Sequence, residues 1–223
     1  MTPRQQPPPN YTGEPRRHVV QQGDRLVRVH RARFDATAFN PTVATHSLEG
    51  GRFDSTPSDP YAYLYAAADA ETAISEKLLR DLPTVSHGAR ILPEAAIKNL
   101  RIAEIEATRD LELVRLRSGA DLGAVGQDTW LTSAPASQYS STQPWAAAIR
   151  SWAPWACGMT WQSHREPAGF AYVFFEDRCD SDSFTEVVGD LPLPPHDRAL
   201  DSGNARLYLE MILTSYNVVL THR

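Results

Sequence analysis

The sequence predicts an α+β fold around a mostly antiparallel sheet. Strand-like and helix-like segments are intermixed without the regular alternation of a βαβ protein. Several short segments carry period-two patterning, and one continuous apolar run, FAYVFF (170–175), reads as a buried central strand.

The elements follow in order. DRLVRVHR (24–31) is the first strand candidate; alternation puts Val27 and Val29 on one face and Leu26, Arg28 and His30 on the other. A turn-rich stretch ends in LEGGRFDS (48–55), and YAYLYAA (61–67) is the next strand. Asp69 is placed to cap a helix over 70–82, AETAISEKLLRDL, which stops before Pro83. LRIAEIEA (100–107) and LELVRL (111–116), separated by Thr108, Arg109 and Asp110, are expected to form a hairpin, although the apolar parity of the first breaks midway. YSSTQPWAAAIRSW (139–152) is expected as a capped helix with Pro144 in its first turn. GMTWQS (158–163) is a strand, PLPPH (192–196) a loop, GNARLYLEMILTSY (203–216) a closing helix and NVVL (217–220) a last strand. Residues 1–22, with Pro3, Pro7, Pro8, Pro9 and Pro15 among polar residues, are expected to form a disordered or extended arm before a single domain over 23–223.

The totals narrow the function classes. Hydrophobic content of 42% and charged content of 22% are those of a soluble globular protein. No run approaches the roughly 20 apolar residues of a membrane span. No apolar segment of signal-peptide type precedes the prolines, so the expected location is cytoplasmic, with no membrane partner. Two cysteines, Cys157 and Cys179, suit a reducing compartment. The seven histidines are scattered without metal-ligand spacing, so no metal is expected. A net charge of −5 argues against direct nucleic-acid binding. Two or three arginines can still hold a small anion such as pyrophosphate.

Ser163, His164 and Arg165 stand in a row in GMTWQSHREP (158–167). On an extended chain Ser163 and Arg165 share a face with Trp161, while His164 points away, badly placed to take a proton from Ser163. With no G-x-S-x-G elbow in the chain, a serine hydrolase is disfavoured. Four other segments bear on Ser163. Arg28 and His30 share a strand face, which alone would suit a solvated edge. GGRF (50–53) allows close backbone approach to a ligand, with Arg52 following at once. Glu76 lies about 200° around the helix from Ile74, off the stripe of Ala70, Ile74 and Leu78, and so faces solvent or a cleft. The FAYVFF run is core.

In this order, LVRVH, GGRFDS, YLYAAADAETAISE, YSSTQPWAAAI and GMTWQSHR resemble the RES domain, named for a shared arginine, glutamate and serine. The resemblance runs from about residue 25 to about 178. It implies an ADP-ribosyltransferase-like fold with a split sheet and flanking helices. It implies a toxin that destroys NAD+ as its substrate, releasing nicotinamide to phosphate or water, with no further cofactor. Some members are described as ADP-ribosyltransferases, so a protein acceptor stays open, as does a non-catalytic interaction module. Many are paired with an Xre-type helix-turn-helix antitoxin that covers the active site. Carried onto this chain, the family residues fall at Arg28, Glu76 and Ser163, with Arg52 and Tyr65 lining the NAD+ pocket. His30 stands where a more basic residue is usual.

That resemblance assigns roles. Glu76 and Arg28 are the expected catalytic residues, Glu76 by stabilising the positive charge that develops on the ribose. Arg28 and Arg52 would grip the pyrophosphate with His30 beside them, Tyr65 would bound the nicotinamide ribose, and Ser163 would contact the ligand by one hydrogen bond.

Overall fold

An eight-stranded sheet curls around its own core in the computed structural model, which describes residues 6–8, 10, 14–43, 50–83, 85–180, 182–189 and 191–221. Its strands are β1 (Arg17–Val20), β2 (Arg25–Arg31), β3 (Tyr63–Ala67), β5 (Leu100–Ala107), β6 (Leu111–Leu116), β7 (Gly158–Gln162), β8 (Phe170–Phe175) and β9 (Phe184–Val187). They lie in the order β1-β6-β7-β8-β3-β2-β5-β9, antiparallel throughout except for the β6–β7 pair. A small parallel pair, β4 (Arg90–Pro93) with β10 (Val218–Thr221), stands apart. This is the predicted α+β class with a mostly antiparallel sheet.

Three apolar clusters hold the layers. The inside of the curl packs Leu26, Leu64, Ala103, Ile105, Leu113 and Phe174. Outside one half, Val27 and Ile102 meet α1 (Ala70–Ile74), α5 (Gly203–Ser215), β4 and β10. Outside the other half, Val114, Met159 and Val173 meet α2 (Gly119–Ala124), α3 (Trp130–Ser133) and α4 (Tyr139–Trp152), with Trp145 fully buried. FAYVFF is β8, enclosed between β7 and β3, as its composition demands.

Three expectations need correction. The β5–β6 hairpin does not form: β5 lies between β2 and β9, and β6 between β1 and β7. Thr108, Arg109 and Asp110 carry the chain between two walls of the curl, where Ile105 and Ala107 face Leu111 and Leu113. Both faces of β5 are therefore covered, Ile102 outward and Ala103 inward, which explains its broken parity.

The arm expected over 1–22 contains β1, whose residues Arg17–Val20 pair with β6. Residues 1–5, 9 and 11–13 of that arm lie outside the described residues. In α4, Pro144 sits in the second turn and Gln138 makes no capping bond; a 3-10 turn over Ala136–Gln138 leads into the helix instead. The first helix keeps its expected cap, with the Asp69 carboxylate accepting the Thr72 N–H at 2.7 Å. Past Ile74 it widens into a π turn over Ser75–Leu79, a rare geometry frequent at functional sites.

Candidate active site

The cavity begins where the sheet splits. β2 and β3 share one register pair, Val27↔Ala67, and beyond it they diverge. The segment after β2 takes up the freed edge of β3: Asn40 and Tyr63 exchange backbone hydrogen bonds at 2.7 and 3.0 Å. Arg28 ties that segment down, its Nη1 donating to the carbonyls of Ala36 (2.6 Å) and Ala38 (3.1 Å). The opening is a cavity of about 710 Å³, within the range that holds small-molecule ligands.

A tight turn forms one wall. Gly50 has φ +88°, in the left-handed region, and a side chain there would meet the Asp54 carboxylate. A Cβ on Gly51 would stand 2.7 Å from both Asp54 Oδ1 and the Tyr65 hydroxyl. The buried Asp54 organises the turn, accepting the Gly51 N–H at 2.7 Å and the hydroxyls of Tyr63 and Tyr65 at 2.6 and 2.8 Å. From outside, α4 holds the same turn: Thr142 donates to the Arg52 carbonyl at 2.8 Å and Gln143 to the Gly51 carbonyl at 3.2 Å. The Arg52 guanidinium, on a residue only 2% exposed, donates to the Ala134 carbonyl at 3.1 Å and lies 5.6 Å from the centre of the Tyr139 ring.

The opposite wall is the π turn. Glu76, half-buried, faces the cavity, while Ala70, Ile74 and Leu78 face the core as the helical phase predicts. A brace from the segment after β7 fixes it. The Ser163 hydroxyl donates to Glu76 Oε1 at 2.7 Å and accepts the Glu166 N–H at 3.2 Å. Arg165 donates through Nε and Nη2 to the Arg80 carbonyl at 3.2 and 3.1 Å, placing a cation at the end of the turn that bears Glu76. The Tyr216 hydroxyl at the end of α5 donates to the Glu166 carboxylate.

Five expected residues, Arg28, His30, Arg52, Tyr65 and Glu76, line one cavity. Ser163 does not: it is 2% exposed and sits behind Glu76 with its hydroxyl engaged there. The contact that the structure gives the Ser163 hydroxyl is with Glu76. His164, on the other face of the chain, is exposed. Sequence reasoning missed Asp54, Lys77, Arg80 and Trp161, which line the same space. Arg80 was findable as the residue four positions after Glu76 on one helix. Asp54 stands two residues after Arg52, but nothing local marks it as buried.

The cavity is positive in a chain of net charge −5. Arg28, Arg31, Arg33, Arg52, Lys77 and Arg80 line it against the carboxylates of Asp54 and Glu76. Burial lowers Arg28 to about 10, leaving it charged at neutral pH. Burial, then the charge of Arg28, lowers His30 to about 4 and keeps it neutral at pH 7. Its Nδ1 faces the Arg31 carbonyl at 3.2 Å, which can only accept, so the proton is assigned to Nδ1. Burial raises Asp54 against the opposing pull of the Tyr63, Gly51 and Tyr65 donors. Burial and the neighbouring Asp54 hold the Tyr65 phenol well above its ordinary value, so it serves as a neutral hydrogen-bonding group.

Among the described residues no group of three or more His, Cys, Asp or Glu side chains is arranged to hold a metal ion. Among the same residues no helix is long and apolar enough to cross a membrane.

Comparison with known proteins places this geometry. No curated protein sequence matches the chain. Among solved structures, a chain of the M. tuberculosis MbcT–MbcA toxin–antitoxin complex superposes with a TM-score of 0.55 at 17% identity, covering 76% of this chain and 84% of that one. At that identity the likeness is one of fold. The RES domain family model matches residues 25–196, which take in the split, the glycine turn, the π turn and the brace. The chain belongs to the RES domain family.

Proposed function

We propose that this protein is an NAD+-degrading enzyme that cleaves the nicotinamide–ribose bond, with phosphate or water as acceptor, and that it acts as the toxin of a toxin–antitoxin pair. One observation carries the reading: a carboxylate from the first helix and guanidinium groups from two earlier segments converge on a single cavity large enough for a dinucleotide. Arg28 and Arg52 supply charge for the pyrophosphate.

Nicotinamide leaves C1′ of the ribose as a neutral base, taking the bonding electron pair, so its departure needs no general acid. The barrier lies in the positive charge that develops on the ribose, and Glu76 stabilises that charge more in the transition state than in the ground state. At 4 Å and an effective dielectric of about 20 the attraction is roughly 4 kcal/mol. That is worth up to about three orders of magnitude in rate. Ser163 holds Glu76 in place for this role through its 2.7 Å hydrogen bond. An acceptor oxygen then bonds to that carbon, C1″ of the product, giving ADP-ribose with the loss of a proton if it is water, or ADP-ribose 1″-phosphate if it is phosphate dianion. The fold likeness to a chain of a toxin–antitoxin complex supports pairing with an antitoxin, and an Xre-type helix-turn-helix protein is the partner to seek.

The test is to incubate the protein with NAD+ in phosphate and in phosphate-free buffer, assay nicotinamide and weigh the sugar product. Release by the wild type, reduced about a hundredfold or more in Glu76→Ala and strongly in Arg28→Ala, is expected. Equal release by all three proteins in both buffers would remove the proposal.

A further inference from the structure

A second, smaller hollow of about 320 Å³ adjoins the main cavity. Arg31 and Lys77 line both spaces, so the two share a wall of cations. Arg31 ends β2, and Lys77 follows Glu76 on the π turn. Lys98, between the 3-10 turn at Glu94–Ala96 and β5, also lines it, with Leu78, Ala95, Ala96 and Leu100.

Exposed lysines are ordinary, but these three cations line a concave space that no carboxylate lines among the described residues. Arg17, Arg25, Arg109, Arg115, Arg150 and Arg206 all have carboxylate partners. The side chains of Arg31, Lys77 and Lys98 form no ion pair or hydrogen bond among the described residues. Burial, then the positive charges of Arg80 and Arg31, lower the Lys77 ammonium, with Asp54 opposing. A concave cluster of one sign beside a dinucleotide-sized cavity concentrates anions.

We propose that the smaller hollow is a phosphate-recognition subsite, taking a phosphate monoester or orthophosphate beside the dinucleotide. The assignment rests on the NAD+ reading of the main cavity. Two sources share this chemistry: the 2′-phosphate of NADP+, and free inorganic phosphate.

Lys98 separates the two spaces experimentally, because it lines only the smaller one. NAD+ and NADP+ are titrated into Glu76→Gln protein in low-salt, phosphate-free buffer, where the ligands are not consumed and surface charge is least screened. The same titrations are run on Glu76→Gln combined with Lys98→Ala and with Lys98→Glu. In parallel, inorganic phosphate is titrated against the melting temperatures of wild type, Lys98→Ala and Lys98→Glu. If the 2′-phosphate is the source, NADP+ binds about tenfold more tightly than NAD+, a preference lost in Lys98→Glu and reduced in Lys98→Ala. If free phosphate is the source, the two dinucleotides bind alike, and the phosphate needed for a given melting shift rises about tenfold in Lys98→Glu. Indifference of both readouts to Lys98 overturns the proposal while leaving NAD+ cleavage standing. Failure of NAD+ to bind at all overturns the main-cavity reading, and the phosphate titration still decides whether the hollow recognises phosphate. Lys98 is exposed, so both variants should fold, as their ligand-free melting temperatures will show.

Discussion

Arg150 and Arg52 are both buried arginines, and they are provided for in opposite ways. Arg150 is 3% exposed, donates to Asp59 at 2.9 Å and bidentately to Asp177 at 3.2 and 2.7 Å, and lies over the rings of Tyr61 and Phe175 at 3.8 and 4.4 Å. Its charge is compensated from within the fold. Arg52, like Arg28, has no carboxylate partner among the described residues, and the Nε of each finds no hydrogen-bond partner. Both line the cavity. A buried cation left uncompensated is costly unless something outside the fold supplies the anion. The difference separates a guanidinium whose charge is answered by carboxylates from two whose hydrogen bonds run to backbone carbonyls, those of Ala36 and Ala38 for Arg28 and of Ala134 for Arg52.

Exchanging each arginine for methionine sharpens the contrast. Arg150→Met removes charge-assisted hydrogen bonds to two carboxylates that stay partly open to solvent, and should cost about 2 kcal/mol in urea unfolding. Arg52→Met removes an uncompensated charge from a site 2% exposed, so the melting temperature should hold or rise while affinity for NAD+ falls about tenfold or more. A loss of stability at Arg52 as large as at Arg150 would erase the distinction.

His30 gives a smaller, pH-dependent effect. Its folded value of about 4 lies below the ordinary 6.5, so between these values the unfolded chain binds the proton more readily. Stability should be full above about pH 6.5 and decline as pH falls toward 4. His30→Gln should flatten that slope in melting curves, and an unchanged slope would place the titration elsewhere.

Much of this site is legible in the chain because its parts are local. Period-two alternation puts Arg28 with His30 on one face of β2, and helical phase puts Glu76 off the stripe of Ala70, Ile74 and Leu78. The diglycine before Arg52 marks a backbone that something must approach closely. What is illegible depends on distant partners. Ser163 reaches Glu76 across 87 residues, so alternation could fix its face but not its contact. The burial of Asp54 requires the hydroxyls of Tyr63 and Tyr65, brought over it by β3. The β5–β6 hairpin misled because turn chemistry is read from neighbours, whereas β5 pairs along its length with β2, whose residues lie 69–81 positions away. β1, with four residues, is too short for its alternation to stand out from the proline-rich sequence before it.

On the proposed NAD+ reading, the uncompensated guanidinium charge in the cavity awaits the pyrophosphate. The direct measurement is the stability of Glu76→Gln protein, with and without Arg52→Met, at increasing NAD+. At 100 times its dissociation constant the ligand should add about 2.7 kcal/mol to the protein that keeps Arg52. The protein carrying Arg52→Met should gain about 1.4 kcal/mol at the same concentration, the counterpart of a tenfold loss of affinity. No stabilisation by NAD+, or equal stabilisation of both proteins, would contradict the account.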